Sequence, residues 1–231
     1  MVIHAVIVAA GSGSRFGGPL PKQFMPLSGR PVVMHSIEAL REAIPRVKMT
    51  LVISHSEEER WKSLCEEYGF DSPDIVFGGE TRFDSVRNAL KSVSDDTDLV
   101  LVHDGARPFA SAEMIQRIIA AFENTDVQGA VPAIKVTDSL RQIMPAGHSE
   151  VVDRTVFRAV QTPQAFRASL LLEAYDKADS SARFTDDASV MEAAGFNNLV
   201  ITEGSADNIK ITNPHDIIIA EAIDKIRLKK C

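Results

Sequence analysis

Cysteine is nearly absent from this chain: Cys65 and Cys231 are the only two in 231 residues. Their spacing gives neither a zinc site nor a redox pair, and unpaired thiols suit a reducing compartment. An excess of positive charge is also missing. Lys and Arg number 25 against 32 Asp and Glu, a net charge of −7. That argues against a general nucleic-acid or anionic-membrane binder, since both require a basic field. An anionic small molecule stays allowed, provided a local island of Lys and Arg receives it. No apolar run approaches the ~20 residues of a membrane span, and the N-terminus enters an apolar strand with no basic leader region. The expectation is a soluble cytoplasmic protein with no membrane and no nucleic-acid partner. The six histidines (His4, His35, His55, His103, His148 and His215) show no ligand spacing, so no histidine metal site or triad is assigned. Repeats, low-complexity runs and linkers are absent as well.

What is present is the composition of a folded protein: 45% hydrophobic and 25% charged residues, ample for a self-sufficient core. The pattern reads as one domain, 1–231, in which apolar runs alternate with helical periodicity. Residues 4–10, 50–54, 74–77, 98–103 and 128–134 are runs apolar on both sides, as strands buried between two helical layers require. Between them, residues 31–43 put Val33, Ile37 and Leu40 on one face. Residues 57–68 group Trp61, Leu64 and Tyr68, and Val86, Leu90 and Val93 follow after Thr81. Residues 111–122 carry Met114, Ile115, Ile118, Ile119 and Phe122 behind Ser111 as N-cap. Asn213-Pro214-His215-Asp216 reads as an N-cap, an N1 proline and an acidic first turn, opening a helix to about Leu228 with basic residues at its end. The expected fold is therefore α/β: a Rossmann-like, mostly parallel sheet flanked by helices, with ligands bound at the carboxyl ends of strands near a topological switch point.

One stretch breaks the rhythm. Residues 136–143 alternate, 144–148 resemble a turn, and 150–154 form a second extended piece. This predicts an inserted β-hairpin at about 136–154. A hairpin without a core partner is marginal alone. Either it packs on a second subunit as a dimerisation arm, or it extends the main sheet.

Four clusters follow strands. After the first comes Ala9-Ala10-Gly11-Ser12-Gly13-Ser14-Arg15-Phe16-Gly17, then Pro21-Lys22-Gln23. Small residues let backbone amides approach an anion. The loop is not a P-loop, because no Gly-Lys-Ser/Thr follows. It is a poor dinucleotide fingerprint, since Phe16 occupies the third Gly/Ala position and no acidic residue ends the second strand. On the glycines alone, a phosphate cradle and a plain turn both stay open. Arg15 and Lys22 favour the cradle, because amides plus two cations suit more than one phosphate; singly, each also reads as a surface cation. His103-Asp104-Gly105-Ala106-Arg107-Pro108 follows the fourth strand: Asp104 can accept hydrogen bonds from hydroxyls or face a metal, and Arg107 can hold an anion, or the pair is a surface turn. Gly78-Gly79-Glu80-Thr81-Arg82-Phe83-Asp84-Ser85 allows close backbone approach to a flat ring with Ser85 on its edge, or is only a helix start. The fourth group joins Thr162-Pro163-Gln164, Thr185-Asp186-Asp187-Ala188-Ser189 and Ala206-Asp207-Asn208-Ile209-Lys210. Lys210, in a short apolar extended piece, points to solvent or into a site, and Arg154 stands at the end of the hairpin.

Together with Val152-Asp153-Arg154 and Gln161-Thr162-Pro163-Gln164, these motifs resemble, in order and over nearly the whole chain, the 2-C-methyl-D-erythritol 4-phosphate cytidylyltransferases of non-mevalonate isoprenoid synthesis. Relatives that make CDP-ribitol share several motifs, but Val152-Asp153-Arg154 and the alanine before Asp207-Asn208 look more like the methylerythritol enzymes. Gly105 departs from the alanine of many members, a change tolerable in a turn. The resemblance implies that CTP and 2-C-methyl-D-erythritol 4-phosphate give the CDP-alcohol and pyrophosphate, on a homodimer whose arms cross. It implies Mg²⁺ or another divalent cation held chiefly by the CTP phosphates, with no protein metal ligands. It implies catalytic Arg15, Lys22, Arg154 and Lys210, with Arg154 acting across the dimer. Asp104, Arg107, Thr162 and Thr185 would hold the polyol phosphate. Ala9, Ala10, Gly11, Gly13, Gly79 and Ser85 would line the nucleotide pocket. The rivals are a ribitol-5-phosphate cytidylyltransferase, a nucleotide-sensing binding module, and an NAD(P)-dependent oxidoreductase, the last disfavoured by Phe16.

Overall fold

The structure, a computed structural model, describes residues 1–11, 20–145, 147–179 and 182–228. β1 (Ile3–Val8) leads past the short pair β2 (Pro26–Leu27) and β3 (Arg30–Pro31) into α1 (Val32–Ala43) and β4 (Lys48–Ile53). Next come α2 (Glu58–Tyr68), β5 (Asp74–Phe77), α3 (Arg82–Leu90), β6 (Leu99–Asp104), α4 (Ala112–Ala120) and β7 (Gly129–Lys135). The second half holds β8 (Arg141–Ile143), β9 (Ser149–Val151), β10 (Arg158–Val160), β11 (Gln164–Arg167), α5 (Ala168–Lys177), α6 (Asp187–Ala193), β12 (Leu199–Glu203) and α7 (Pro214–Leu228).

The main sheet runs β10-β7-β11-β6-β1-β4-β5, with β12 parallel to β7. β1 pairs in parallel with both β4 and β6, and β4 with β5. β11 lies antiparallel between β6 and β7, and β10 is antiparallel to β7. The sheet is thus mixed and mostly parallel, as expected for an α/β fold. The apolar runs are continuous because alternate residues face two separate helical layers. Ala5, Ile7, Leu51, Ile53, Leu99 and Leu101 pack with α1, α4 and Trp61. Val6, Val52, Val100 and Val102 pack with α3, α5 and α6.

The sequence signals for helix ends hold. Ser111 Oγ accepts from the Met114 amide, and Asn213 Oδ1 accepts from the His215 and Asp216 amides. Thr81 and Asp84 form a reciprocal capping box at the start of α3. Short elements are less legible. β10, β11, β12, α5 and α6 give no clear periodic signal, because the strands run three to five residues and are set by pairing rather than by pattern.

Two expectations need correction. The hairpin exists, but its strands are only three residues each and form their own two-stranded sheet, so it does not extend the main one. Arg154 is not in its second strand. Asp153 accepts from the Thr155 amide and hydroxyl, and this local turn diverts residues 154–156 into a 3₁₀ turn. The extended piece that carries Lys210 joins no sheet. It is an irregular strap, held where the Ile211 amide donates to the Ala106 carbonyl and the Ile211 side chain is buried.

Candidate active site

β1 lies between β4 and β6, and the chain moves outward from it in both directions, so the strand order reverses at its carboxyl end. A cleft of about 520 Å³ opens there, at the position where such sheets bind ligands.

One wall is backbone. Ala9, Ala10 and Gly11 continue from β1. The buried Gln23 amide donates to the Ala9 carbonyl at 2.6 Å and the Gly11 carbonyl at 3.2 Å, which ties the turn carrying Lys22 to the strand end. Opposite, Ser85 Oγ accepts from the Gly79 amide at 3.1 Å and donates to the Thr81 carbonyl. Gly78 is confined: a Cβ added there would lie 2.4 Å from Ala10 Cβ and 2.8 Å from Ser85 Oγ. A Gly78→Ala variant must therefore push the start of α3 away from the end of β1. The expected result is a KM for the nucleotide raised by about tenfold or more, since displacements near 1 Å carry such costs. Steady-state kinetics with varied nucleotide check it, and an unchanged KM contradicts this placement of the pocket. Gly105 sits in a turn as expected, but its Cβ would come 3.0 Å from Ala9 Cβ, so alanine fits only if the neighbour shifts slightly.

The other wall is ionic. Lys22 and Lys210 both line the cleft. Lys210 Nζ lies 2.8 Å from Asp104 Oδ2, with Arg107 Nε at 3.5 Å from the same oxygen and Arg82 Nε at 3.7 Å from Oδ1. Burial pushes the Asp104 carboxyl up, but the charges of Lys210, Arg82 and Arg107 outweigh it and hold it well below the usual carboxylate range. Behind it, the Asp104 amide donates to Thr162 Oγ1 at 3.0 Å. Thr162 Oγ1 in turn lies 3.1 Å from His103 Nδ1, and His103 Nε2 lies 3.0 Å from the Arg107 carbonyl. A carbonyl only accepts, so Nε2 carries the proton and Nδ1 accepts from the Thr162 hydroxyl. Burial pushes the His103 ring down to about 4, so it is neutral at neutral pH and belongs to the scaffold.

The expected site residues therefore divide. Ala9, Ala10, Gly11, Lys22, Gly79, Ser85, Asp104 and Lys210 converge on the cleft. Arg107 and Thr162 stand behind Asp104; the Arg107 guanidinium donates to the Asn208 carbonyl at 2.8 Å. Thr185 is exposed, next to the residue that caps α6. Arg154 lines a different hollow with Lys135, Thr137 and Arg158, and donates to the Thr137 carbonyl. Gly13, Arg15 and Phe16 lie outside the described residues, as does Cys231. Two contributors were not singled out by their sequence signals. Gln23 appears only as part of a tripeptide, and Arg82 reads as an ordinary first-turn residue of a helix.

Among the described residues, no three His, Cys, Asp or Glu side chains cluster to hold a metal, and the oxygens of Asp104 face cations. The described residues do not make a metal cage.

A glycine- and alanine-walled cleft at the switch point of a Rossmann-like sheet, faced by lysines and arginine, defines an α/β enzyme that handles a phosphorylated nucleotide. The family model for 2-C-methyl-D-erythritol 4-phosphate cytidylyltransferase matches residues 3–225. The chain is 44% identical over 219 residues to the enzyme of that name from Bacteroides thetaiotaomicron, covering 94% of this chain and 97% of the relative. Its fold is similar to the crystal structure of 4-diphosphocytidyl-2C-methyl-D-erythritol synthase from Anaerococcus prevotii, with a TM-score of 0.83, 30% identity and coverage of 97% and 96%. It also matches the cytidylyltransferase from Thermus thermophilus, with a TM-score of 0.78, 32% identity and coverage of 95% and 98%. The chain belongs to the 2-C-methyl-D-erythritol 4-phosphate cytidylyltransferase family and is a nucleotidyltransferase.

Proposed function

We propose that this cleft joins CTP to 2-C-methyl-D-erythritol 4-phosphate, giving 4-diphosphocytidyl-2-C-methyl-D-erythritol and pyrophosphate for isoprenoid synthesis. The observation that supports it most is the presence of Lys22 and Lys210 on one cleft that is also lined by backbone at Ala9–Gly11 and Gly79. An oxygen of the acceptor phosphate attacks the α-phosphorus of CTP, the bond to the β-phosphate breaks, and pyrophosphate leaves. Both reactants are anions, so charge repulsion and alignment dominate the barrier. No protein nucleophile is needed. In this reading Lys22 and Arg15 stabilise the charge that builds on the triphosphate, while Lys210 and Arg154 orient the attacking phosphate. Ala9, Ala10, Gly11, Gly13, Gly79 and Ser85 hold the nucleotide. Asp104, Arg107, Thr162 and Thr185 serve the acceptor side, Arg107 and Thr162 by fixing Asp104. The divalent cation implied by the family likeness is assigned to the CTP phosphates, and no step is routed through it.

We propose further that the protein works as a homodimer in the cytoplasm, with the arm at about 136–154 crossing to the partner. Ile143 and Val151 on the arm are 73% and 75% exposed. Val156, Phe157, Val160 and Ile201 are exposed beside an open cleft of about 840 Å³. Apolar exposure on this scale usually marks an interface. No helix among the described residues is long and apolar enough to cross a membrane.

The test is a substrate screen, each nucleoside triphosphate against each polyol phosphate, scored by pyrophosphate release. CTP with 2-C-methyl-D-erythritol 4-phosphate is expected to give the highest kcat/KM. A higher value with ribitol 5-phosphate moves the assignment to CDP-ribitol synthesis, and release with no acceptor dependence removes the transfer reading.

A further inference from the structure

We propose that Arg82, clamped by Asp187, is a positioning residue for the transfer: it fixes one oxygen of Asp104 so that the other holds the Lys210 ammonium over the cleft. The inference rests on the reading of this cleft as the transfer site.

The clamp is a fork. Arg82 Nη1 donates to Asp187 Oδ1 at 3.1 Å and Nη2 to Oδ2 at 2.6 Å. This planar two-point grip leaves the Nε edge turned toward Asp104 Oδ1, 3.7 Å away. Asp187 is wholly buried and also accepts the Tyr175 hydroxyl at 2.7 Å. Tyr175 stacks on Phe83, the neighbour of Arg82, with ring centroids 4.8 Å apart. Asp187 cannot drift, because the start of α6 is pinned to the sheet. The Gln164 side chain donates to Asp186 Oδ2 at 2.9 Å and accepts from the Ala188 amide at 3.1 Å. Gln164 itself pairs with Val102 on β6, the strand that ends in Asp104. Two paired strands, β6 and β11, thus set the two carboxylates that flank Arg82.

The charge count gives the arrangement a purpose. Asp104 and Asp187 present two negative charges to three cations, Arg82, Arg107 and Lys210. Asp104 is shared, so it does not fully neutralise Lys210, and part of the ammonium field is left for an incoming phosphate. A lysine at 82 would supply charge but no fork. A pair serving stability alone would need no third contact in the cleft, and apolar residues of similar volume would replace it without loss.

The full-length protein carrying Arg82→Met with Asp187→Asn tests this. Removing both charges leaves no unpaired buried ion, so the fold is expected to survive, as thermal melting checks. Kinetics are measured with CTP and the acceptor varied separately. The expected result is a fall of about 10–100-fold in kcat/KM for the acceptor, with the KM for CTP changed by less than about threefold. If the double variant melts well below the wild type, Arg82→Lys carries the test, with the same acceptor-specific loss expected. Wild-type kinetics, or a loss equal for both substrates, overturn the proposal. Lys210→Ala is assayed in parallel. If it keeps full turnover, the reading of the cleft has failed and takes the clamp with it. If it is inactive while the clamp variants behave as wild type, only the clamp is wrong.

Discussion

Lys22→Ala is expected to leave the protein folded and to lower kcat by about 10²–10³, the size found when one preorganised electrostatic stabiliser is removed. The backbone at this position is anchored by its neighbours. It is held by Gln23, whose amide bridges the Ala9 and Gly11 carbonyls, and by Phe24, buried and 6.3 Å from the Trp61 ring centroid. Lys22 lines the cleft with Lys210, where the triphosphate would lie. Removing it should raise the barrier more than it weakens CTP binding, because charge on the departing phosphates is larger in the transition state than in the ground state. Circular dichroism and melting establish the fold, and rapid-quench turnover measures the step. Normal turnover at an unchanged CTP dependence would end the role assigned to Lys22.

The second large effect concerns Arg154. Within one chain it lines a hollow with Lys135, Thr137 and Arg158 rather than the cleft of Lys22 and Lys210. If it serves a partner's cleft, two inactive variants should rescue one another. Lys22→Ala and Arg154→Ala are each expected to be nearly inactive. In a mixed dimer, one cleft carries both defects and the other carries neither. Random mixing of the two variants should then restore about a quarter of wild-type activity, since half the dimers are mixed and each has one intact site. If Arg154 instead acted in its own cleft, every site would keep a defect and mixing would restore nothing. Co-purification with two different tags isolates the mixed dimers, whose expected activity is about half of wild type, one intact site in two, against none if Arg154 acts in its own cleft.

Much of the architecture was legible in local pattern. The buried strands could be read because both faces of β1, β4 and β6 contact apolar layers, which forces uninterrupted apolar runs. Thr81, Ser111 and Asn213 announced helix starts because a cap is a property of four adjacent residues. β11 was not legible. Its four residues insert antiparallel between β6 and β7, and nothing within Gln164–Arg167 records which strands will flank it. The arm shows the same limit at smaller scale: alternation suggested a longer hairpin, but the Asp153 turn ended it early.

Strand pattern was enough to fix the α/β class, and the order of short motifs carried the resemblance to the family, because each is carried by residues close together in sequence. The convergence of charge was decided by tertiary structure. Arg82 and Asp187 stand 105 positions apart and the Arg107 side chain meets the Asn208 carbonyl across 101, yet these contacts set how Asp104 presents Lys210. Which distant ions meet depends on how helices and straps pack onto the sheet, and a buried carboxylate stays charged only where that packing delivers its cations.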